Sequence, residues 1–362
     1  MITIVIPTMN RSDFLIRLLN YYADTGYKHW ISIGDSSDVF HLNATKQAIK
    51  GLAGELKIVY REFPGVPEPK CTSQLIQEVK TPHVAFVADD DFLVPSALDE
   101  CVEFLKDHPD YSVALGKAMI FNLGCSGPFG NISGVGPYAL SSIEAASGRE
   151  RLLYHLRNYS NPNFGVHRTE EFQRAYSRVP ALPDKSFTEI LPNCMSSVQG
   201  KIMQLDCFYL VRQGHDQRYL LPDLFDWVTS TNWLPSYQTL SDCLTEELVK
   251  IDGIEAGEAR DVVKQAFWSY LGKGLANKFY GRYGQRLFGN SSVNFSRTKN
   301  VVKRIPAVAK VLMPAWCLLR SRINPSGVSL PVLLNTASPY HADFMPVYRA
   351  VTKANNRREI CK

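Results

Sequence analysis

No apolar run reaches the roughly 20 residues that a bilayer-crossing helix needs, which argues against a spanning segment. The eight cysteines are scattered, without a C-x-x-C pair or zinc-finger spacing. That excludes a disulfide framework and a structural zinc module, and points to reduced thiols in a cytoplasmic setting. No charged leader precedes the strand-like run at Ile2, so a signal peptide is not expected. No glycine lies between Thr8 and Asp13, so the Gly-rich loop that cradles a nucleoside triphosphate is missing there. No acidic residue occurs between Val262 and Ala342. Residues 1–261 carry 23 Lys/Arg against 33 Asp/Glu, whereas residues 262–362 carry 17 against 2. Such segregation points to an anionic partner for the C-terminal part. No reader motif accompanies the charge, so that partner is not expected to be nucleic acid.

What remains is an ordinary soluble composition, 45% hydrophobic and 21% charged over 362 residues. This is enough chain for one large or two ordinary domains, with the shift in character placing a boundary near 240–255: residues 1–245, then 246–362. The chain is organised around His83–Pro95, where five apolar residues, Val84–Ala88, run into Asp89-Asp90-Asp91. A run apolar on both faces suits a strand inside a parallel sheet, and ligands bind beyond the carboxyl ends of such strands. Three adjacent carboxylates repel one another and call for a cation, Mg²⁺ or Mn²⁺, that can bridge to a diphosphate. The alternative is a solvated turn capping the helix that begins at Pro95.

Around that stretch, strands and helices alternate. Strands are expected at Met1–Thr8, Trp30–Gly34, Leu56–Arg61, Tyr111–Phe121, Asn163–Arg168 and Ile202–Gln213. Helices are expected after Ser12 or Asp13 as a cap, and over His41–Leu52, Lys70–Val79, Pro95–Lys106, Ile143–Arg157, Thr169–Ser177 and Ser186–Gly200. Leu123–Pro137, rich in Gly, Ser and Pro, reads as a flexible loop over the site. From Leu244 the pattern is helical. The fold class is therefore α/β, a mostly parallel, doubly wound sheet flanked by helices, with a mainly helical C-terminal extension.

This order of parts resembles the GT-A fold of nucleotide-sugar-binding glycosyltransferases, in particular the inverting family 2. The residues that carry the resemblance are Ile6-Pro7-Thr8-Met9-Asn10-Arg11, a second strand ending at Asp35, and Asp89-Asp90-Asp91-Phe92 before a Pro-led helix. It covers about residues 1–216 and departs from the pattern at Gly34-Asp35-Ser36-Ser37, where Asp-Asp-Gly-Ser is usual. The resemblance implies that Pro7, Thr8, Asn10 and Arg11 line a nucleotide pocket and that Asp35 accepts from a uracil-type base or ribose. It implies Asp89 on the ribose or metal side, Asp91 on the metal, and a His closing the metal site, here His215. Asp90 belongs to the nucleotide-binding set, though strand alternation would turn it aside. Lys70 and Arg212 are expected near the diphosphate.

Inversion needs a carboxylate to take the acceptor hydroxyl's proton. The resemblance places it at the start of a helix after the fifth strand, where Glu189 and Asp184 are the candidates. Glu189, flanked by Phe187, Ile190 and Leu191, is preferred, since a cleft wall would raise its pKa. Asp184 reads as a solvated residue before the helix. Trp227 and Trp233 are candidate sugar-stacking residues that fit core packing better.

The expected activity is metal-dependent, inverting transfer of a sugar from a nucleotide-sugar donor, UDP-linked, to a glycan or lipid-linked acceptor hydroxyl. The basic amphipathic stretch Val301–Arg320 suits peripheral contact with an anionic cytoplasmic membrane face, or else a packed helical subdomain. Two other readings stay open: a sugar nucleotidyltransferase, weakened by the glycine-free first loop, and a non-catalytic, membrane-associated glycan-binding protein.

Overall fold

A computed structural model of the chain describes residues 1–215, 221–281 and 329–358; the stretch 301–320 lies outside them. A single sheet crosses the molecule. Its strands are β1 (Ile2–Thr8), β2 (Trp30–Asp35), β3 (Lys57–Glu62), β4 (His83–Phe86), β5 (Phe92–Leu93), β6 (Tyr111–Leu123), β7 (Ile132–Tyr138), β8 (Val166–Arg168) and β9 (Lys201–Gly214). They lie in the order β3-β2-β1-β4-β8-β6-β9-β5, with β7 paired to β6. The first four are parallel, with Thr8 opposite Asp35 and Val5 opposite Phe86. β8 runs antiparallel to both β4 and β6, while β6 and β9 are parallel. The expected α/β sheet is therefore present, with antiparallel pairs gathered in its second half.

The helices are α1 (Ser12–Asp24), α2 (Val39–Gly51), α3 (Glu68–Glu78), α4 (Pro95–Asp107), α5 (Gly148–Arg157), α6 (Thr169–Tyr176), α7 (Lys185–Gln199), α8 (Leu224–Val228), α9 (Trp233–Asp252) and α10 (Ala256–Phe279), then α11 (Leu330–Leu334) and α12 (His341–Arg358). Phe14, Leu15, Leu18, Leu19 and Tyr22 of α1 are buried, as their helical spacing requires. The helix starts without a side-chain cap, because Arg11 rather than Ser12 or Asp13 holds the cap position. Packing is divided among three apolar clusters. The largest joins the sheet to α1, α4 and α12; α5, α7, α9 and α10 build a second; α3 and α6 close the other face of β1 and β4.

Two features depart from the local pattern. The Gly/Pro-rich Leu123–Pro137 segment is mostly a hairpin, because β7 pairs antiparallel with β6 and leaves only 124–131 as its turn. Its glycines at 134 and 136 sit within paired strand rather than in coil. The C-terminal segment returns to the first cluster: Phe344, Val347 and Val351 are fully buried, and Tyr340 lies against Phe208 with ring centroids 5.5 Å apart. Position 245, where the sequence changes character, falls inside the continuous helix α9. Among the described residues the cysteines are free, and no helix is long and apolar enough to cross a membrane.

Candidate functional site

Strands β1, β2 and β4 end on one edge of the sheet, and β9 brings its own end to the same place. β4 stops at Phe86, after which the backbone turns, with Asp91 N donating to Ala88 O at 3.1 Å. Strand alternation lapses in that turn, so all three carboxylates are buried at one site and Asp90 does not turn aside. Thr8 Oγ1 donates to Asp89 Oδ2 at 2.7 Å, and Arg11 Nη2 lies 2.5 Å from Asp89 Oδ1. Arg11 Nη1 donates to Asp90 Oδ2 at 2.9 Å, and His215 Nε2 is 2.8 Å from the same oxygen. Asp91 is engaged elsewhere: Oδ2 accepts from Arg212 Nε at 2.8 Å and Oδ1 from Gln213 N at 3.0 Å.

Three buried like charges are tolerated because cations surround them. Beyond Arg11 and Arg212 there is Arg17, an α1 residue only 1% exposed, which the sequence pattern did not single out. Its guanidinium donates to Asp90 O at 2.8 Å, Gln213 Oε1 at 2.5 Å and Pro128 O at 2.6 Å, and lies 4.7 Å from the Phe92 ring. Burial lowers its pKa to about 10. Burial likewise pushes the Asp89 carboxyl up to about 7 and that of Asp91 to about 6. At Asp90 burial is outweighed by the His215 hydrogen bond and by Arg11, so the carboxyl falls below its ordinary range.

The donor types gathered here, carboxylate oxygen and imidazole nitrogen, suit a divalent ion. Asp90 Oδ2 has both Arg11 Nη1 and His215 Nε2 beside it, and the oxygens of Asp89 and Asp91 likewise face Thr8, Arg11, Arg212 and Gln213. Among the described residues no group of three or more His, Cys, Asp or Glu is arranged to hold a metal. Two protein ligands completed by phosphate oxygens is a common arrangement for Mg²⁺. Of the expected set Asp91, Asp89 and His215, Asp91 is paired with Arg212 and Asp89 with Thr8 and Arg11, while His215 lies beside Asp90.

On the nucleotide side, Pro7 and Thr8 lie opposite Gly34 and Asp35 in register. Asn10 takes a left-handed backbone, φ 56°, that lets its N–H donate to Ser37 Oγ at 2.7 Å while its Oδ1 accepts from Asp38 N at 2.8 Å. Asp35 is fully buried and accepts from Ser37 N at 2.9 Å and Tyr60 Oη at 3.0 Å. Gly34 is required by packing: a Cβ there would meet Cys71 Sγ at 2.5 Å and Leu75 Cδ1 at 2.6 Å. Lys70 is exposed on α3 and is not drawn to the triplet. The α3 residue that is drawn in is Glu68, whose Oε1 accepts from Thr72 Oγ1 at 2.6 Å and which interacts electrostatically with Lys185, Glu189 and Arg11.

Glu189 is half-buried on α7, within electrostatic reach of Arg212. Its Oε1 accepts from Tyr159 Oη at 3.3 Å, and Asn193 Nδ2 donates to Tyr159 Oη at 3.1 Å and to the Glu189 carbonyl at 2.9 Å. Burial raises its pKa, against the Tyr159 hydrogen bond and the charge of Arg212. Asp184 is not in the site. It is buried as the N-cap of α7, where Oδ1 accepts from Ser186 N at 2.9 Å, Phe187 N at 3.1 Å and Trp227 Nε1 at 2.9 Å. Trp227 and Trp233 are packing residues, 5.1 Å from Phe187 and 5.3 Å from Tyr237 between ring centroids. Arg212 lies 4.7 Å from the Tyr138 ring and 4.4 Å from the Phe164 ring, two rings that meet edge to face with centroids 6.3 Å apart.

No family model matches the chain, and no curated protein does. Solved structures do. S. aureus TarS 1–349 in complex with UDP-GlcNAc aligns over 98% of this chain and 91% of that one, with a TM-score of 0.51 and 14% identity. TarS 1–349 without that ligand aligns with a TM-score of 0.48, 14% identity and the same coverage. A longer TarS structure matches over 81% of this chain at 14% identity and a TM-score of 0.48; the chain spans 46% of its length. With its sheet order and flanking helices, the chain has a GT-A-like glycosyltransferase fold.

Proposed function

We propose that this protein is a glycosyltransferase that moves a sugar from a UDP-linked donor to a hydroxyl of a glycan or lipid-linked acceptor. The observation that carries the reading is one strand-end edge holding Asp90 beside His215, flanked by Arg11 and Arg212, with Glu189 within electrostatic reach of Arg212. The UDP-GlcNAc complex of TarS supports a UDP-linked donor for a chain of similar fold.

Asp90 and His215 would hold Mn²⁺ or Mg²⁺, which when bound neutralises charge on the leaving diphosphate. Arg11 and Arg212 bind diphosphate oxygens and exclude water from them. Pro7, Thr8, Asn10 and Asp35 seat the nucleoside. Glu189 takes the proton of the attacking hydroxyl at a carboxylate oxygen, and the direct attack inverts the anomeric carbon. Tyr159 and Asn193 orient that carboxylate. The basic C-terminal part would keep the enzyme at an anionic cytoplasmic membrane face, where a lipid-linked acceptor is presented.

The test is hydrolysis or transfer with UDP-sugars and Mn²⁺. Glu189→Gln is expected to lose about a hundredfold or more of turnover, the range of general-base catalysis, while still binding UDP. Undiminished turnover in that variant removes the assignment of the base. Absence of UDP binding in the parent protein removes the reading.

A further inference from the structure

Glu68 is half-buried at the first position of α3. Its Oε1 accepts from the buried Thr72 Oγ1 at 2.6 Å, which fixes the carboxylate against its own helix. The other oxygen, Oε2, has no hydrogen-bond partner among the described residues and is not sealed from solvent. Around this carboxylate stand Arg11, which holds Asp89 and Asp90, and Lys185 and Glu189, all within electrostatic reach. Lys185 and Glu189 are one turn apart on α7 and share one face of it. Glu68 therefore meets both the diphosphate side of the site and the side that takes the acceptor's proton. In an inverting displacement the group held between a leaving diphosphate and an attacking hydroxyl is the sugar.

We propose that Glu68 is a specificity-determining residue for the donor: its open oxygen accepts from a hydroxyl of the transferred sugar, so that the enzyme takes a neutral sugar and turns away a uronic acid. The inference rests on the nucleotide-sugar reading and goes beyond it in naming the class of sugar. A half-buried carboxylate oxygen without a donor is costly to keep, and a sugar hydroxyl supplies the donor that the protein does not. Because Thr72 fixes the carboxylate beforehand, little side-chain freedom is lost when the sugar arrives. A uronate would instead bring a third carboxylate beside Glu68 and Glu189, and like charges so placed repel.

Calorimetric titration of the full chain at pH 8 with UDP, UDP-GlcNAc, UDP-glucose, UDP-galactose and UDP-glucuronate tests this, on the parent and on Glu68→Gln and Glu68→Asp. The parent is expected to bind at least one neutral UDP-sugar about tenfold or more tightly than UDP-glucuronate. Glu68→Gln keeps the shape and removes the charge. It should weaken that neutral sugar about fivefold, the difference between a charge-assisted and a neutral hydrogen bond, and should strengthen UDP-glucuronate. UDP itself should stay within about twofold, because the contact is to the sugar. Glu68→Asp keeps the charge but withdraws it by one methylene, so it should weaken the neutral sugar and still reject UDP-glucuronate. A purely structural role for Glu68 predicts equal losses for UDP and every UDP-sugar, and that result overturns the proposal. So does a parent that binds UDP-glucuronate as tightly as the neutral donors. Should Glu68→Gln fail to fold, unchanged affinity for the neutral sugar in Glu68→Asp overturns it equally. A parent protein that binds no UDP overturns the functional reading and this inference with it, whereas UDP binding by the parent with sugars that behave otherwise overturns the inference alone.

Discussion

Replacing Arg17 by Met tests whether the buried guanidinium supports the carboxylate triplet. The change keeps most of the apolar stem and removes the charge from a position 1% exposed. Three acceptors lose their donor: Asp90 O, Gln213 Oε1 and Pro128 O. At about 1 kcal/mol or more for each buried acceptor left unmade, with part of the cation–π contacts to Phe92 and Phe14 lost as well, the cost is about 3–5 kcal/mol. That agrees with the usual cost of removing one partner from a buried charge cluster. The assay is urea denaturation, read as a shift in midpoint at constant slope. A second readout follows from the geometry: the turn at 124–131 is tied to the site through Pro128 O on Arg17 and Gly127 O on Gln213 Nε2, so proteolysis within 124–131 should accelerate in the variant. A loss below about 1 kcal/mol with unchanged proteolysis would refute the role assigned to Arg17.

Three further outcomes follow from the same geometry. The acid limb of the kcat–pH profile should lie above the ordinary glutamate range, because burial raises Glu189; Tyr159→Phe removes a hydrogen bond that favours the ionised form and should move that limb to higher pH. Burial pushes the Glu171 carboxyl up to about 7, so the folded state disfavours its ionisation: stability is greatest below the ordinary glutamate range and falls as pH rises toward 7. Glu171→Gln should therefore stabilise the protein at pH 8 by about 1–2 kcal/mol, after allowance for partial exposure and for Arg168 and Arg174, and change little at pH 4, as thermal denaturation at the two pH values will show. Asp184→Ala should cost about 2–3 kcal/mol in denaturant titration, from the lost cap and an unsatisfied Trp227 indole, yet leave turnover of the folded enzyme nearly unchanged.

What could be read from the sequence, and what could not, divides by the distance over which each feature is determined. The runs Ile2–Thr8 and Val84–Ala88 announce buried strands because their neighbours along the chain are enough to show it, and α7 and β9 were legible for the same reason. Glu189 stood out because a carboxylate among Phe187, Ile190 and Leu191 has to meet something other than bulk water. Asp90 was misdirected by a rule that holds only while a strand lasts: β4 ends three residues before Asp89, and a turn obeys no period of two. Arg17 was invisible locally, since an arginine among helical apolar residues reads as solvated; its partners lie 73, 111 and 196 positions away. Asp184 had the local look of a loop residue, and its burial depends on an indole 43 positions later.

The same distinction applies to how the charge of the triplet is compensated. Three consecutive acids state a charge that needs compensation, but not its source, and a divalent ion is the shortest answer when only the local chain is visible. The fold supplies another, in Arg11, Arg17 and Arg212, brought to the triplet from α1 and β9. In this arrangement Asp89 and Asp91 each hold an arginine, and Asp90 shares one oxygen with Arg11 and His215. Charge balance then gives the order of sensitivity: Asp90→Asn should abolish the response of UDP affinity to Mn²⁺, and Asp89→Asn should mainly release Arg11.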